Sequence, residues 1–140
     1  MTEELTDAQR ANMDVVRAGL EAYNDGDPAA ALPFIHPEVV VYTAPMMGNA
    51  GTYAGHEGYL RWMNLWEEAW DEFHIEVVEM IPVGEDDIVA AVHQTGRGAG
   101  SGIEVEMDSA LHSRIRDAQM IRIGFYPDTE QAHAAARASD

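Results

Sequence analysis

Along Thr6 to Asn24, Met13, Val16, Leu20 and Tyr23 recur at spacings of three and four, the period of a helix with one apolar face. Thr6, with Gln9 three residues later, forms a capping box at its start. The run Asn24-Asp25-Gly26-Asp27-Pro28 ends it and opens a short second helix, Pro28 to Phe34, before His36-Pro37. The β-branched stretch Val39 to Thr43 predicts a strand, and Ala44 to Gly51 a loop. A third helix, from about His56 to Asp71, sets Tyr59, Trp62, Met63, Trp66 and Trp70 on one side. From Glu72 the period falls to two, with Phe73, Ile75 and Val77 alternating with His74 and Glu76. After a turn at Gly84-Glu85-Asp86-Asp87, Ile88 to Thr95 reads as a buried strand whose two faces the pattern does not separate. Four glycines within Gly96 to Gly102 predict a flexible connection.

The clearest alternation follows. Ile103, Val105, Met107, Ser109, Leu111, Ser113 and Ile115 form an inward face. Glu104, Glu106, Asp108, Ala110, His112, Arg114 and Arg116 form an outward one. A turn at Asp117-Ala118-Gln119 leads to a last strand with Ile121, Ile123 and Phe125 inward, and Thr129 to Arg137 is a short alanine-rich helix. Helices first and strands after make an α+β protein, read as one domain over residues 1–140. Three helices on one face of a bent sheet bury their stripes together. Small inward residues such as Ser109 and Ser113, opposite the tryptophan helix, predict space between the layers.

Composition narrows the chemistry. There is no cysteine, which excludes disulfides, thiol nucleophiles and cysteine zinc sites. All eight basic residues are arginine, so no lysine side chain can form a Schiff base. The net charge of −17 repels nucleic acid and anionic membrane surfaces and keeps the chain soluble. No apolar run nears the roughly 18 residues of a membrane span. The acidic start Met1-Thr2-Glu3-Glu4 is unlike a signal peptide, which makes the cytoplasm the expected compartment. The six histidines show no metal-ligand spacing such as HExxH, and neither metal nor cofactor is expected.

Tyr23-Asn24-Asp25-Gly26-Asp27, His36-Pro37-Glu38-Val39 and Tyr53-Ala54-Gly55-His56-Glu57-Gly58 together resemble bacterial SnoaL-like proteins of the nuclear-transport-factor-2-like superfamily. The glycine-rich connection around Arg97, Arg116-Asp117, and Tyr126-Pro127-Asp128 with its alanine-rich tail fit the same group. The resemblance spans residues 8 to 137 and rests on the order and spacing of these segments. It implies a cone-shaped curved antiparallel sheet, three N-terminal helices enclosing a deep pocket, and a homodimer formed through the sheet. Ketosteroid isomerases, polyketide cyclases, limonene epoxide hydrolase and non-catalytic binding domains share this architecture, so the fold does not choose among them.

The family's functional positions are filled differently here. The place of the isomerase base falls on Thr43, that of its protonated Asp near Leu111, and that of its helix-1 Tyr near Gly19. The cyclase and epoxide-hydrolase acid falls on Phe125. Thr, Leu and Phe cannot act as tuned carboxylates. His93 and Tyr23 are then the candidate catalytic groups. His93 is either a cavity-facing general base, with a pKa near operating pH, or a histidine on the other face. Tyr23 is either an acid or donor to a ligand, or a core tyrosine with a satisfied hydroxyl. Thr43, Tyr53, Trp62, Met63, Trp66, Leu111, Ser113 and Phe125 are the candidate ligand contacts, with Met46 and Met47 as a mouth or a surface loop. His112 and Asp108, with Glu104 and Glu106, read as outward solvated or dimer-facing charge ahead of a metal cluster. Two functions follow for a hydrophobic small-molecule partner. One is a cofactor-free acid–base enzyme (isomerase, cyclase, or hydratase or hydrolase). The other is a non-catalytic binding or assembly domain.

Overall fold

The computed structural model describes residues 5–44 and 51–138. Met46 and Met47 lie outside these. Helix α1 spans Asp7–Asn24, and the Thr6–Gln9 capping box closes its start from both sides. A 3-10 helix follows at Pro28–Phe34. It occupies the residues expected for the short second helix. Strand β1 is Ile35–Thr43, β2 Gly51–Ala54, helix α2 Gly55–Ala69, β3 Trp70–Val83, β4 Asp87–Gly98, β5 Glu104–Arg116, β6 Gln119–Tyr126 and helix α3 Thr129–Arg137.

Six strands form one curved, open sheet in the order β2-β1-β6-β5-β4-β3. Most neighbours are antiparallel, but β1 and β6 pair in parallel, with Val41 beside Ile123 and Thr43 beside Phe125. β2 is not expected from the sequence, because four residues with no buried position carry no alternation. It also placed the end of α2 at Asp71, whereas Trp70 is already extended and opens β3. Trp70 nonetheless stacks on Trp66, with ring centroids 6.2 Å apart.

The glycine-rich segment is partly strand, since β4 runs to Gly98. Gly96 sits where a Cβ would lie 2.8 Å from Trp70 Cε3, so glycine here admits the indole against the sheet. In β6 the alternation also slips. Arg114 pairs with Arg122 but Ile115 with Met120, so Ile121 is an extra residue on β6. This bulge corrects the inward assignment of Ile121: Met120, with Ile123 and Phe125, reaches the inner face.

Helices α1 and α2 cover one face of the sheet and α3 the other. Leu111 and Ser113 of β5 face α1 and α2, so His112 and Arg114 face α3. His112 is fully buried there. Its expected place among solvated outward charges is therefore corrected, because α3 roofs that part of the sheet. His112 Nε2 donates to Asp87 Oδ1 at 2.7 Å, and Arg114 Nε donates to the same oxygen at 3.0 Å. Arg114 Nη2 also reaches the carbonyl of Ala138 at the end of α3. No described helix is long and apolar enough to cross a membrane.

Candidate functional site

A cavity lies between the inner face of the sheet and the two N-terminal helices. Helix α1 lines it with Val16, Gly19, Leu20 and Tyr23, and α2 with Tyr59, Trp62, Met63 and Trp66. The sheet adds Phe73 and Ile75 from β3, Gln94 from β4, Leu111 and Ser113 from β5, and Met120, Ile123 and Phe125 from β6. About 70 Å³ is open to the centre of a water molecule. Since one water needs roughly 10–15 Å³ by this measure, the space suits a few waters or one small ring. A larger ligand needs the walls to move.

The wall is held in register by polar clamps behind it. Asn24 both donates to the carbonyl of Ile75 (2.9 Å) and accepts from its N–H (2.8 Å). This fixes the C-terminal end of α1 on β3 and sets Tyr23 edge-on to Phe73, with centroids 4.8 Å apart. His56 Nε2 donates to the carbonyl of Ile35 at 2.7 Å, tying the start of α2 to β1. Gly58 lets α2 approach closely, since a Cβ there would lie 2.9 Å from the backbone of Tyr53.

None of the described lining residues carries a carboxylate, imidazole or guanidinium. The polar groups are the hydroxyls of Tyr23, Tyr59 and Ser113, the indoles of Trp62 and Trp66 and the amide of Gln94. Burial pushes the Tyr59 hydroxyl up to about 12. The Tyr23 hydroxyl is pushed higher, by burial first and then by the nearby Glu67 charge. Both tyrosines are therefore neutral at physiological pH and act as hydrogen-bond donors or acceptors, never as phenolate bases.

Of the residues expected from the sequence, Tyr23, Trp62, Met63, Trp66, Leu111, Ser113 and Phe125 come together around the cavity. Thr43 and Tyr53 do not line it. Thr43 is buried beside Phe125, with its Oγ1 lacking a partner. Tyr53 lies half-buried on β2, against α2. His93 is the main correction. Gln94 takes the inner face of β4, so His93 faces the other way, one-third exposed. Its Nδ1 donates to Asp108 at 2.7 Å and its Nε2 to Glu106 at 3.2 Å. It cannot serve the cavity as a general base. The uniform apolar run Ile88 to Val92 concealed this parity, and it concealed Gln94 as the polar group on the inner side.

Only the imidazolium has two N–H groups, so both carboxylates favour the charged His93. Its pKa is raised, first by the bond to Asp108 and then by that to Glu106. Its contribution to stability is therefore full below pH ~6.5 and is lost as pH rises through the raised value. An NMR titration is expected to place the His93 midpoint above ~6.5, and Asp108→Asn to bring it down. Among the described residues no group of three or more His, Asp or Glu is arranged to hold a metal.

A SnoaL-like domain model matches residues 16–123, most of the chain and nearly all of the cavity wall. The chain belongs to the SnoaL-like family. The structure of a SnoaL-like polyketide cyclase homologue from Jannaschia sp. CCS1 superposes with a TM-score of 0.79 at 15% identity, covering 99% of this chain and 100% of that one. TerC, co-crystallised with polyporic acid, gives 0.76 at 21% identity, covering 91% and 99%. A protein of ketosteroid-isomerase-like fold from Catenulispora acidiphila, in complex with trimethylamine, gives 0.73 at 16%, covering 86% and 90%. At these identities the likeness shows the fold. A search of curated proteins gives no match.

Proposed function

We propose that this SnoaL-like domain binds an uncharged, hydrophobic small molecule in the cavity between α1, α2 and the sheet. The observation that carries this reading is the wall itself: apolar and aromatic throughout, with neutral polar groups and no charge among its described residues. A charged ligand would lose its hydration there with nothing opposite in sign to replace it. The complexes of TerC with polyporic acid and of the Catenulispora protein with trimethylamine support a ligand role for this fold.

Catalysis is the second reading, and Tyr23 is the observation in its favour. Its neutral hydroxyl on the cavity wall is a hydrogen-bond donor for a carbonyl that gains negative charge. Isomerisation, cyclisation or hydration would still need a base, which the described lining residues do not offer. Binding is therefore the better-supported function. A homodimer also fits the exposed apolar side chains Val78, Ile103 and Val105, and light scattering would test it.

Native mass spectrometry of protein purified from its own host is the direct test. A co-purifying neutral molecule, displaced by a bulkier residue at Gly19, is the expected result. Protein that carries nothing, and takes up no small aromatic compound on titration, would refute the reading. Gly19 gives a second check. A mid-helix glycine costs about 1 kcal/mol relative to alanine. A Cβ at Gly19 would meet the mobile end of Met120, 2.9 Å away. Gly19→Ala is expected to raise stability by up to about 1 kcal/mol while weakening ligand uptake. Thermal melts and titration with a small aromatic probe measure the two effects.

A further inference from the structure

Gln94 is 4% exposed, faces the cavity, and its Oε1 has no hydrogen-bond partner. Its neighbour across β3 is Ile75, the residue whose backbone Asn24 clamps. The amide therefore lies on the part of the wall where the end of α1 is pinned, in otherwise apolar surroundings. A buried acceptor left empty is costly, and an apolar side chain of the same length would fill the place without that cost. A group of this kind is best explained by what it receives when the site is occupied.

We infer that Gln94 is the polar anchor of the cavity, and that the ligand is a neutral, largely apolar molecule presenting one hydroxyl or N–H donor to its Oε1. This rests on the binding function proposed above and adds the chemistry of recognition. A phenol or alcohol satisfies the acceptor. An ether or ketone of the same shape does not, and neither does a pure hydrocarbon. Carboxylic acids are disfavoured, since the described wall residues offer no cation to their ionised form.

Three one-ring probes of matched shape test this: p-cresol, 4-methylanisole and p-xylene, titrated by calorimetry and by ligand-observed NMR. Satisfying a buried acceptor is worth about tenfold in affinity, so p-cresol is expected to bind about tenfold more tightly than either partner. The side-chain amide resonances of Gln94 should shift with p-cresol alone. In Gln94→Met the preference should vanish while p-xylene still binds, which also reports that the variant is folded. Binding of all three probes with equal affinity would overturn the role of Gln94 and leave the cavity's function standing. Tighter binding of 4-methylanisole than of p-cresol would overturn the donor requirement. Binding of none would overturn both this inference and the binding function.

Discussion

Replacing Phe125 with alanine is expected to destabilise the protein by about 3–5 kcal/mol. The ring is 2% exposed and lies edge-on to Trp66, with centroids 5.5 Å apart. It is flanked by Thr43 on β1 and Leu111 on β5, so it joins the parallel and antiparallel parts of the sheet beneath α2. The loss has two parts: the transfer of the ring from water, and the void left behind. Relaxation is least able to help here, because the new void merges with a cavity already present and both walls are pinned by strand pairing. Domain stability is typically about 5–15 kcal/mol, so this one change removes about a fifth of it or more. Phe125→Leu, which keeps most of the volume, should cost less than half as much. Urea unfolding of the two variants measures the difference, and a cost for Phe125→Ala below about 1 kcal/mol would show that the ring is not packed as described. The same variant, kept folded in the cold, should accept larger aromatic probes than the parent, since apolar cavities of this kind take up benzene-sized ligands.

The second large effect is expected on the opposite face of the sheet. Asp87→Ala removes the one carboxylate oxygen that accepts from both His112 and Arg114 under α3. Removing one member of a buried ionic cluster usually costs about 3–5 kcal/mol, and slight exposure of Asp87 places this case near 3. His112 adds a pH dependence. Burial lowers its pKa more than the bond to Asp87 raises it, and the Arg114 and Arg122 charges lower it further. The native histidine is therefore neutral, with Nε2 protonated toward Asp87 and Nδ1 bare. Below pH ~6.5 the unfolded chain takes up a proton that the native state refuses. Stability is then expected to fall as pH drops below ~6.5, and His112→Gln should flatten this slope. His93 acts in the opposite sense, and above ~6.5, so the two histidines are separable in unfolding curves taken between pH ~5 and ~8.

Much of the fold was legible because burial imposes a period. The tryptophan stripe of α2 and the alternation of β5 each mark one inner face, and both face the cavity. Seven expected contacts, from Tyr23 to Phe125, meet there because a helix face and a strand face leave little freedom once the layers are opposed. Elements without a period were missed or misjudged. β2 has no buried residue and so no alternation to read. In β6 one bulged residue exchanged Ile121 for Met120 on the wall.

The order of residues along the chain was enough for an α+β protein, helices before strands, with an apolar aromatic helix over a sheet and no thiol or lysine side chain. Those follow from residue type and spacing. Tertiary structure decided the parity of β4 and the cover of the outer face. Val89, Ala90 and Val92 are buried although they alternate between the two sides of the sheet, which α1 and α3 cover, so this stretch shows no polar side. Only pairing with β3 and β5 turns Gln94 into the cavity and His93 out to Asp108 and Glu106. The docking of α3 likewise turned His112 from a surface residue into a buried one. The polar character of the site thus passed from a titratable histidine to a neutral amide. Strand register decided that, because a shift of one residue exchanges the faces.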